Sequence, residues 1–135
     1  MSGNVLLDSN IIVYLAKGEL NREQFFDDTN TYCISVISYM ETLGFQFENE
    51  REKEFIQHLL SLFQMIYIDK KVADKVVAIR QQKKIKLPDA IIAATALEKQ
   101  CVLVTRNDAD FKHIDPNLRL LNPFVTETSE NESEQ

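Results

Sequence analysis

The chain has 135 residues, of which 44% are hydrophobic, and a formal net charge of −6 at pH 7. This length and composition predict one globular domain with a substantial core, and the negative charge argues against a protein that coats nucleic acid non-specifically. No apolar run approaches the roughly 18 residues that a membrane span requires. The first residues show no secretion signal, so a cytoplasmic location is expected.

The acidic residues are concentrated at the C-terminus. The segment 126–135 contains four glutamates and no basic residue, and without them the net charge would be near −2. We therefore expect 1–124 to form the domain and 125–135 to be a disordered acidic tail. Cys33 and Cys101 stand in apolar, β-like runs and are expected to be small buried side chains. Because no Cys-x-x-Cys or Cys/His ligand spacing exists, a zinc site is not expected.

Short apolar runs alternate with helical patterns along the chain. Strands are predicted at 5–7, 32–36, 65–68, 101–104 and 118–121. Helices are predicted at 11–16 (ended by Gly18), 22–28, from Ser38 through Phe45, 50–63, 70–84 and 87–100. This alternation predicts an α/β fold in which a mainly parallel sheet of four or five strands carries helices on both faces.

The amphipathic helices have recognisable apolar faces. In the helix 50–63 the predicted buried face is Phe55, Leu59, Leu62 and Phe63, and in the helix 70–84 it is Val72, Val76 and Ile79. His58 is expected at the surface.

The helix 87–100 has almost no polar side and is predicted to be buried on most of its surface. Pro88 suits the first turn, where its missing N–H costs nothing. Asp89 would face the positive end of the helix dipole and stay ionised. Asp89 therefore either stabilises the helix start alone or contributes a carboxylate to a site.

Polar side chains follow the predicted strands. Asp8 comes directly after the first strand, Glu41 lies about a turn into the helix after the second, and Asn107 and Asp108 follow the fourth. Sites in parallel sheets form beyond the carboxyl ends of the strands. We therefore expect these groups at one sheet edge, with Asp89 joining them from elsewhere in the fold.

Converging carboxylates repel one another unless a cation joins them. Oxygen ligands without cysteine or histidine favour Mg²⁺ or Mn²⁺. The chemistry such a site supports is metal-assisted hydrolysis of a phosphate ester.

Each of these polar residues also has a purely structural interpretation. Asp8 could be a helix N-cap. Glu41 could close a capping box with Ser38. Asn107, Asp108 and Asp110 could be turn residues. Together, these interpretations would require four coincidences at one edge of the sheet.

Four motifs occur in order along the chain: Leu7-Asp8-Ser9-Asn10, Ile34-Ser35-x-x-Ser38-x-x-Glu41, Asp89-Ala90-x-Ile92-Ala93-Ala94 and Val104-Thr105-Arg106-Asn107-x-x-Asp110-Phe111. In this order and spacing they resemble the PIN-domain ribonucleases, and in particular the VapC-type toxins of toxin–antitoxin pairs. The resemblance runs from about Val5 to Pro123.

The resemblance implies a three-layer α/β/α fold and a Mg²⁺-dependent (or Mn²⁺-dependent) endoribonuclease. Asp8 and Asp89 would ligate the metal, and Glu41 would hold a metal-bound water or a second ion. Thr105, with Ser9 and Asn10, would orient the site. Asn107 departs from the pattern, since some relatives carry an aspartate there. The fourth position is therefore open among three residues: Asn107, Asp108 and Asp110.

The resemblance also implies partners: an RNA substrate, a small antitoxin protein and a second copy of the chain. Lys83, Lys84, Lys86 and Arg106 are placed to meet a phosphate backbone, although the lysines equally suit a solvated helix end. An apolar groove could involve six residues, most of which are equally typical of a core: Tyr14, Leu15, Phe25, Phe26, Phe45 and Phe47.

Four other functions compete with the toxin interpretation. One is a PIN nuclease of RNA processing, and another is an inactive PIN scaffold that only binds. A haloacid-dehalogenase-type phosphatase would need an aspartate where Asn10 stands. A receiver domain would use Asp69 as its phosphate acceptor but needs a second acid beside Asp8.

Overall fold

The computed structural model describes residues 3–44 and 46–124. The strands are β1 (Asn4–Leu7), β2 (Thr31–Ser35), β3 (Gln64–Ile66), β4 (Cys101–Val104) and β5 (Leu120–Leu121). The helices are α1 (Ser9–Lys17), α2 (Arg22–Phe25), α3 (Val36–Leu43), α4 (Glu50–Ser61), α5 (Lys70–Gln82), α6 (Leu87–Glu98) and α7 (Asp108–Phe111). The predicted acidic tail lies outside the described residues, as does Phe45.

The five strands form one sheet in the order β3-β2-β1-β4-β5, and every neighbouring pair is parallel. In β1, Leu6 lies opposite Cys33 of β2 on one side and Leu103 of β4 on the other. The chain thus winds outward from β1 in two directions. The strand order reverses between β1 and β4, and such a switch point leaves a crevice beyond the carboxyl ends of the two strands.

Each face of the sheet is covered by helices. Leu6 packs in one core cluster with residues of α5 and α6, whereas Leu7 packs in a second cluster with residues of α1 and α4. Consecutive strand residues point to opposite faces, so the two clusters are the two interfaces of an α/β/α sandwich. The predicted three-layer fold is confirmed.

Helix α6 is the most deeply buried helix. Its residues from Ala90 to Ala96 are all buried, and α6 packs against α5 and β4. Four of these seven residues are alanines, whose small side chains let neighbouring backbones approach closely. Its two ends are more accessible than this middle part, and Asp89 stands at the N-terminal end. Cys33 and Cys101 are also buried, as expected, while His58 is exposed.

One boundary differs in a way that matters for the site. β2 ends at Ser35, whose hydroxyl accepts a 3.2 Å hydrogen bond from the Ile37 N–H and caps α3. Helix α3 therefore begins at Val36, and Ser38 is a buried residue inside it. The capping-box interpretation of Ser38 and Glu41 is wrong, because Ser38 is not at the helix start.

Other boundaries shift by a few residues. The helices predicted at 22–28, 50–63, 70–84 and 87–100 each end two or three residues earlier, and the strand predicted at 118–121 is shorter. Leu62 was expected on a buried face but is 65% exposed, because α4 ends at Ser61 and Leu62 is its C-cap. Among the described helices, none has both the length and the hydropathy that crossing a membrane would require.

Candidate active site at the switch point of the sheet

Asp8 lies where β1 ends and α1 begins. Its Oδ1 accepts a 2.8 Å hydrogen bond from the Ser9 N–H, and its Oδ2 accepts a 2.8 Å bond from the Thr105 hydroxyl. The N-cap interpretation of Asp8 is thus correct, but it uses only one carboxylate oxygen. Burial raises the pKa of Asp8, the bonds from Thr105 and Ser9 lower it, and the charge of Asp110 raises it again.

Thr105 lies on the other side of the switch point, directly after β4. It is fully buried at the end of β4, and its N–H donates to the Leu121 carbonyl at 3.0 Å. The same hydroxyl that donates to Asp8 accepts a 3.0 Å bond from the Asn107 N–H. Thr105 therefore connects the end of β1 to the loop that leads into α7.

Glu41 reaches the site from α3. Its Oε1 accepts a hydrogen bond of 3.4 Å from the Ser9 hydroxyl, across the junction of α1 and α3. Desolvation raises the pKa of Glu41, and the charges of Asp8 and Asp89 raise it further. Glu41 is thus close enough to two other carboxylates to feel their charge.

Asp89 stands in the first turn of α6 and is partly buried. Desolvation raises its pKa, as do the charges of Asp8 and Asp110, while the Lys86 ammonium lowers it. The helix dipole alone would lower this pKa. Burial and the neighbouring carboxylates act in the opposite direction, so Asp89 belongs to an acidic cluster and not only to a helix start.

The three residues considered for the fourth position have different surroundings. Asn107 is the exposed N-cap of α7 and makes no side-chain cap bond. Asp108 accepts a 3.2 Å hydrogen bond from the Asn122 side-chain amide. Asp110 raises the pKa of both Asp8 and Asp89. The structure therefore brings Asp110 to the acidic cluster, whereas Asp108 is bound to Asn122.

Sequence reasoning missed Asn122. Its amide donates to Asp108 Oδ1 and, at 3.1 Å, to the Arg106 carbonyl, and its Oδ1 accepts from the Phe124 N–H at 2.9 Å. Asn122 directly follows β5, at the same edge of the sheet as Asp8 and Thr105. The rule that sites follow strand ends would have identified it, had it been applied to the last strand.

The donor atoms at this edge suit a hard divalent cation. The cluster of Asp8, Glu41, Asp89 and Asp110 supplies carboxylate oxygens, and Asn10 adds a buried Oδ1 without a hydrogen-bond partner within the described part of the chain. Across residues 3–44 and 46–124, no three or more His, Cys, Asp or Glu side chains are arranged to hold a metal ion. Mg²⁺, however, commonly takes only one or two carboxylates and completes its shell with water and substrate phosphate.

The basic residues predicted to bind substrate lie around this edge. Lys83, Lys84 and Lys86 are exposed in the connection between α5 and α6, and Lys86 is close enough to influence Asp89. Arg106 is exposed directly after Thr105. Lysine and arginine side chains therefore flank the acidic cluster.

The six groove candidates mostly belong to the core. Leu15 is fully buried in the cluster on the α1 and α4 side, and three of the phenylalanines pack against it: Phe25, Phe26 and Phe47. Tyr14 is partly buried, and Phe45 lies outside the described residues. A largely apolar cavity of about 280 Å³ does adjoin the site, between Asn10, Glu41 and Phe47.

Comparison with known proteins agrees with this geometry. Residues 5–116 match the family model described as PIN domain. A curated relative, Ribonuclease VapC of Rickettsia bellii, is 25% identical in an alignment of 129 positions that covers 87% of this chain and 94% of the relative. The phosphatase and receiver interpretations are thereby set aside.

Solved structures give the same result. A toxin–antitoxin complex from Klebsiella pneumoniae contains a chain with 34% identity and a TM-score of 0.70; the alignment covers 90% of this chain and 99% of that one. VapBC2 from Rickettsia felis, bound to a DNA fragment from its promoter, matches with 27% identity and a TM-score of 0.76 over 88% and 98% of the two chains. Together with its fold and its acidic edge, these matches show that the chain belongs to the PIN domain family.

Proposed function

We propose that this protein is a Mg²⁺- or Mn²⁺-dependent endoribonuclease that hydrolyses RNA phosphodiester bonds, and that it is the toxin of a VapBC-type pair. Membership of the PIN domain family supports nuclease activity. The names of the relatives, which are a ribonuclease and toxin–antitoxin complexes, support RNA as the substrate and an antitoxin as the partner. We also propose that the protein is cytoplasmic and forms a homodimer.

One observation carries the catalytic part. Asp8, Glu41, Asp89 and Asp110 come from four separate elements, and their charges act on one another at the switch point of a parallel sheet. Uncompensated carboxylates in such proximity cost stability. A fold that retains them is best explained if a bound cation offsets the repulsion.

The roles follow from the surroundings of each side chain. Asp8 and Asp89 hold the cation, with Asp110 in the fourth acidic position in preference to Asn107 and Asp108. Thr105 and Ser9 fix the orientation of Asp8 by hydrogen bonds to its two oxygens. Ser9 also donates to Glu41, and in this proposal Glu41 orients the attacking water and accepts its proton. The cation, when bound, polarises a phosphoryl oxygen and lowers the pKa of a coordinated water.

The nuclease proposal is tested by cleavage of RNA with the purified chain. Cleavage should require Mg²⁺ or Mn²⁺, stop on addition of EDTA, and be abolished by Asp8→Asn and Asp89→Asn. Asp74→Asn is the matched control, because Asp74 is an exposed residue of α5 whose pairing, among the residues that the structure describes, is with Lys70 alone. A DNA strand of the same sequence should not be cut. Undiminished cleavage in EDTA would contradict the proposal, as would hydrolysis of an aryl phosphate without cleavage of RNA.

The toxin role is tested in cells. Induced expression of the wild-type chain should arrest growth, expression of Asp89→Asn should not, and co-expression of the small protein encoded beside the gene should restore growth. If the wild-type chain cleaves RNA in vitro but is harmless when expressed, the protein is instead a PIN nuclease of RNA processing.

A further inference from the structure

Arg106 lies against two aromatic rings beside the acidic cluster. Its guanidinium carbon is 5.0 Å from the centroid of the Tyr14 ring and 4.2 Å from that of the Phe124 ring. The two rings contact each other edge to face, with centroids 4.9 Å apart and planes inclined by 70°. A guanidinium over aromatic faces is attracted by the ring quadrupole, so the rings restrict where the charge of Arg106 can lie.

Asn122 fixes both partners of this contact. Its amide nitrogen donates to the Arg106 carbonyl, and its Oδ1 accepts from the Phe124 N–H. One side chain thus sets the separation between the backbone of Arg106 and that of Phe124. The arrangement is preorganised, which reduces the conformational entropy that Arg106 would lose on binding a ligand.

The charge of Arg106 is otherwise unused. Within residues 3–44 and 46–124, its side chain is in no ion pair or hydrogen bond, although acids surround the site. Contact with the rings occupies the guanidinium carbon and its faces, whereas the N–H donors lie in the guanidinium plane. These donors match the oxygens of a phosphate.

We infer that Arg106, held by Tyr14 and Phe124, forms a subsite that binds a backbone phosphate of the RNA strand beside the bond that is cut. Arg106 directly follows Thr105, which holds Asp8, and it precedes α7, which carries Asp110. A strand placed on the acidic cluster therefore passes Arg106. The inference rests on the proposed nuclease function and adds the residues that hold the neighbouring phosphate.

The test measures binding of a short fluorescein-labelled single-stranded RNA of mixed sequence by anisotropy, in the full chain with cleavage silenced by Asp89→Asn. Adding Arg106→Gln should weaken binding about tenfold, as expected for one charge-assisted contact. It should also reduce the slope of log K against log salt by about 0.7, because one phosphate contact is lost.

Three further variants separate the phosphate contact from other effects. Arg106→Lys should keep the salt slope but bind less tightly, since lysine lacks the planar fork. Phe124→Leu should also keep the slope of log K against log salt, because the charge of Arg106 remains. Arg119→Gln is the matched control: it removes the same charge at the opposite edge of the sheet, where Arg119 donates to the Gln100 carbonyl, and should change neither quantity. Unchanged melting temperatures would show that each variant folds.

A second readout uses the active chain. Arg106→Gln should raise KM for RNA cleavage with kcat within about twofold, because the lost contact is made in both the ground and transition states. If RNA cleavage is normal in the wild type while Arg106→Gln leaves KM, affinity and salt slope unchanged, the subsite is wrong and the nuclease function stands. If the wild type neither binds nor cleaves RNA, the nuclease function fails and the subsite with it.

Discussion

The hydroxyl of Thr105 donates a 2.8 Å hydrogen bond to Oδ2 of Asp8, and so joins two residues that are 97 positions apart in the chain. The two residues directly follow β4 and β1, which are neighbours in the sheet, and the Asp8 N–H also donates to the Val104 carbonyl at 2.9 Å. A buried, hydrogen-bonded pair therefore lies where the strand order reverses, and the hydrogen bond fixes the position of the Asp8 carboxylate.

Removal of this hydroxyl should impair activity more than stability. Thr105→Val is nearly isosteric but leaves Oδ2 of Asp8 without its donor and the Asn107 N–H without its acceptor. We expect a loss of about 1–2 kcal/mol in the free energy of unfolding and a 10- to 100-fold loss of kcat, as for other residues that orient a metal ligand. Urea unfolding and RNA cleavage measure the two effects.

Thr105→Ser is the control, because serine keeps the hydroxyl and loses only a methyl group. Thr105→Ser should retain most of the wild-type kcat. If Thr105→Val cleaves RNA as fast as the wild type, the hydrogen bond to Asp8 has no role in positioning the carboxylate.

The three candidates for the fourth acidic position should differ in activity. Asp110→Asn removes a charge that acts on Asp8 and Asp89, and we expect it to lower kcat at least about tenfold. Asp108→Asn should lower kcat less, since Asp108 is bound to Asn122, and Asn107→Ala should have a small effect. Cleavage rates at saturating Mg²⁺ rank the three, and a larger loss for Asp108→Asn than for Asp110→Asn would reverse the assignment.

The acidic cluster should lower the stability of the metal-free protein. The folded state raises the pKa of Asp8, Glu41 and Asp89, so these acids bind protons more tightly when folded than when unfolded. Their contribution therefore destabilises the fold at neutral pH, and this penalty disappears as the pH falls through the raised pKa values towards the unfolded ones. In EDTA, Asp89→Asn should raise Tm at neutral pH, and the gain should shrink on acidification.

Added Mg²⁺ should stabilise the wild type more than Asp89→Asn, because a bound cation offsets the same repulsion. Asp74→Asn, the exposed control in α5, should not respond in this way. An Asp89→Asn protein that melts below the wild type in EDTA would show that Asp89 is a structural residue rather than a strained functional one.

Asp69 should show the opposite dependence on pH. It caps α5 by accepting a 2.9 Å hydrogen bond from the Val72 N–H, and its other oxygen pairs with Lys99 at 2.8 Å. The hydrogen bond from Lys99 and that from Val72 lower the pKa of Asp69 below its usual 3.8. Its stabilising contribution is therefore present above the unfolded pKa and is lost as the pH falls through the lower folded value.

Asp69→Ala should lower Tm at neutral pH, and Asp69→Asn should lower it less, because asparagine keeps a capping oxygen. Both differences should shrink in acid. Differences that grow on acidification would contradict this account. The opposite effects of Asp69→Asn and Asp89→Asn on Tm would distinguish an acid that stabilises the fold from one that destabilises it.

Much of this molecule was predictable from local patterns. Alternating apolar runs and helical stretches predicted a parallel sheet with helices on both faces, and the strand-end rule placed Asp8, Glu41 and the residues after β4 at one edge. These inferences hold because strand alternation, helical periodicity and parallel topology are local or follow from chain order. The error at Ser38 arose because the Ser-x-x-Glu spacing alone does not say which serine caps the helix, and Ser35 does so here.

The tertiary structure decided what chain order leaves open. Asp108 and Asp110 are two residues apart, so in a helical turn they point about 200° apart, and only the docking of α7 against Asn122 shows that Asp110 is the one beside Asp8 and Asp89. Likewise, no local pattern indicates that Arg106 meets Tyr14 and Phe124. Such contacts join distant positions in the chain, and their geometry follows from packing, which sequence spacing does not encode.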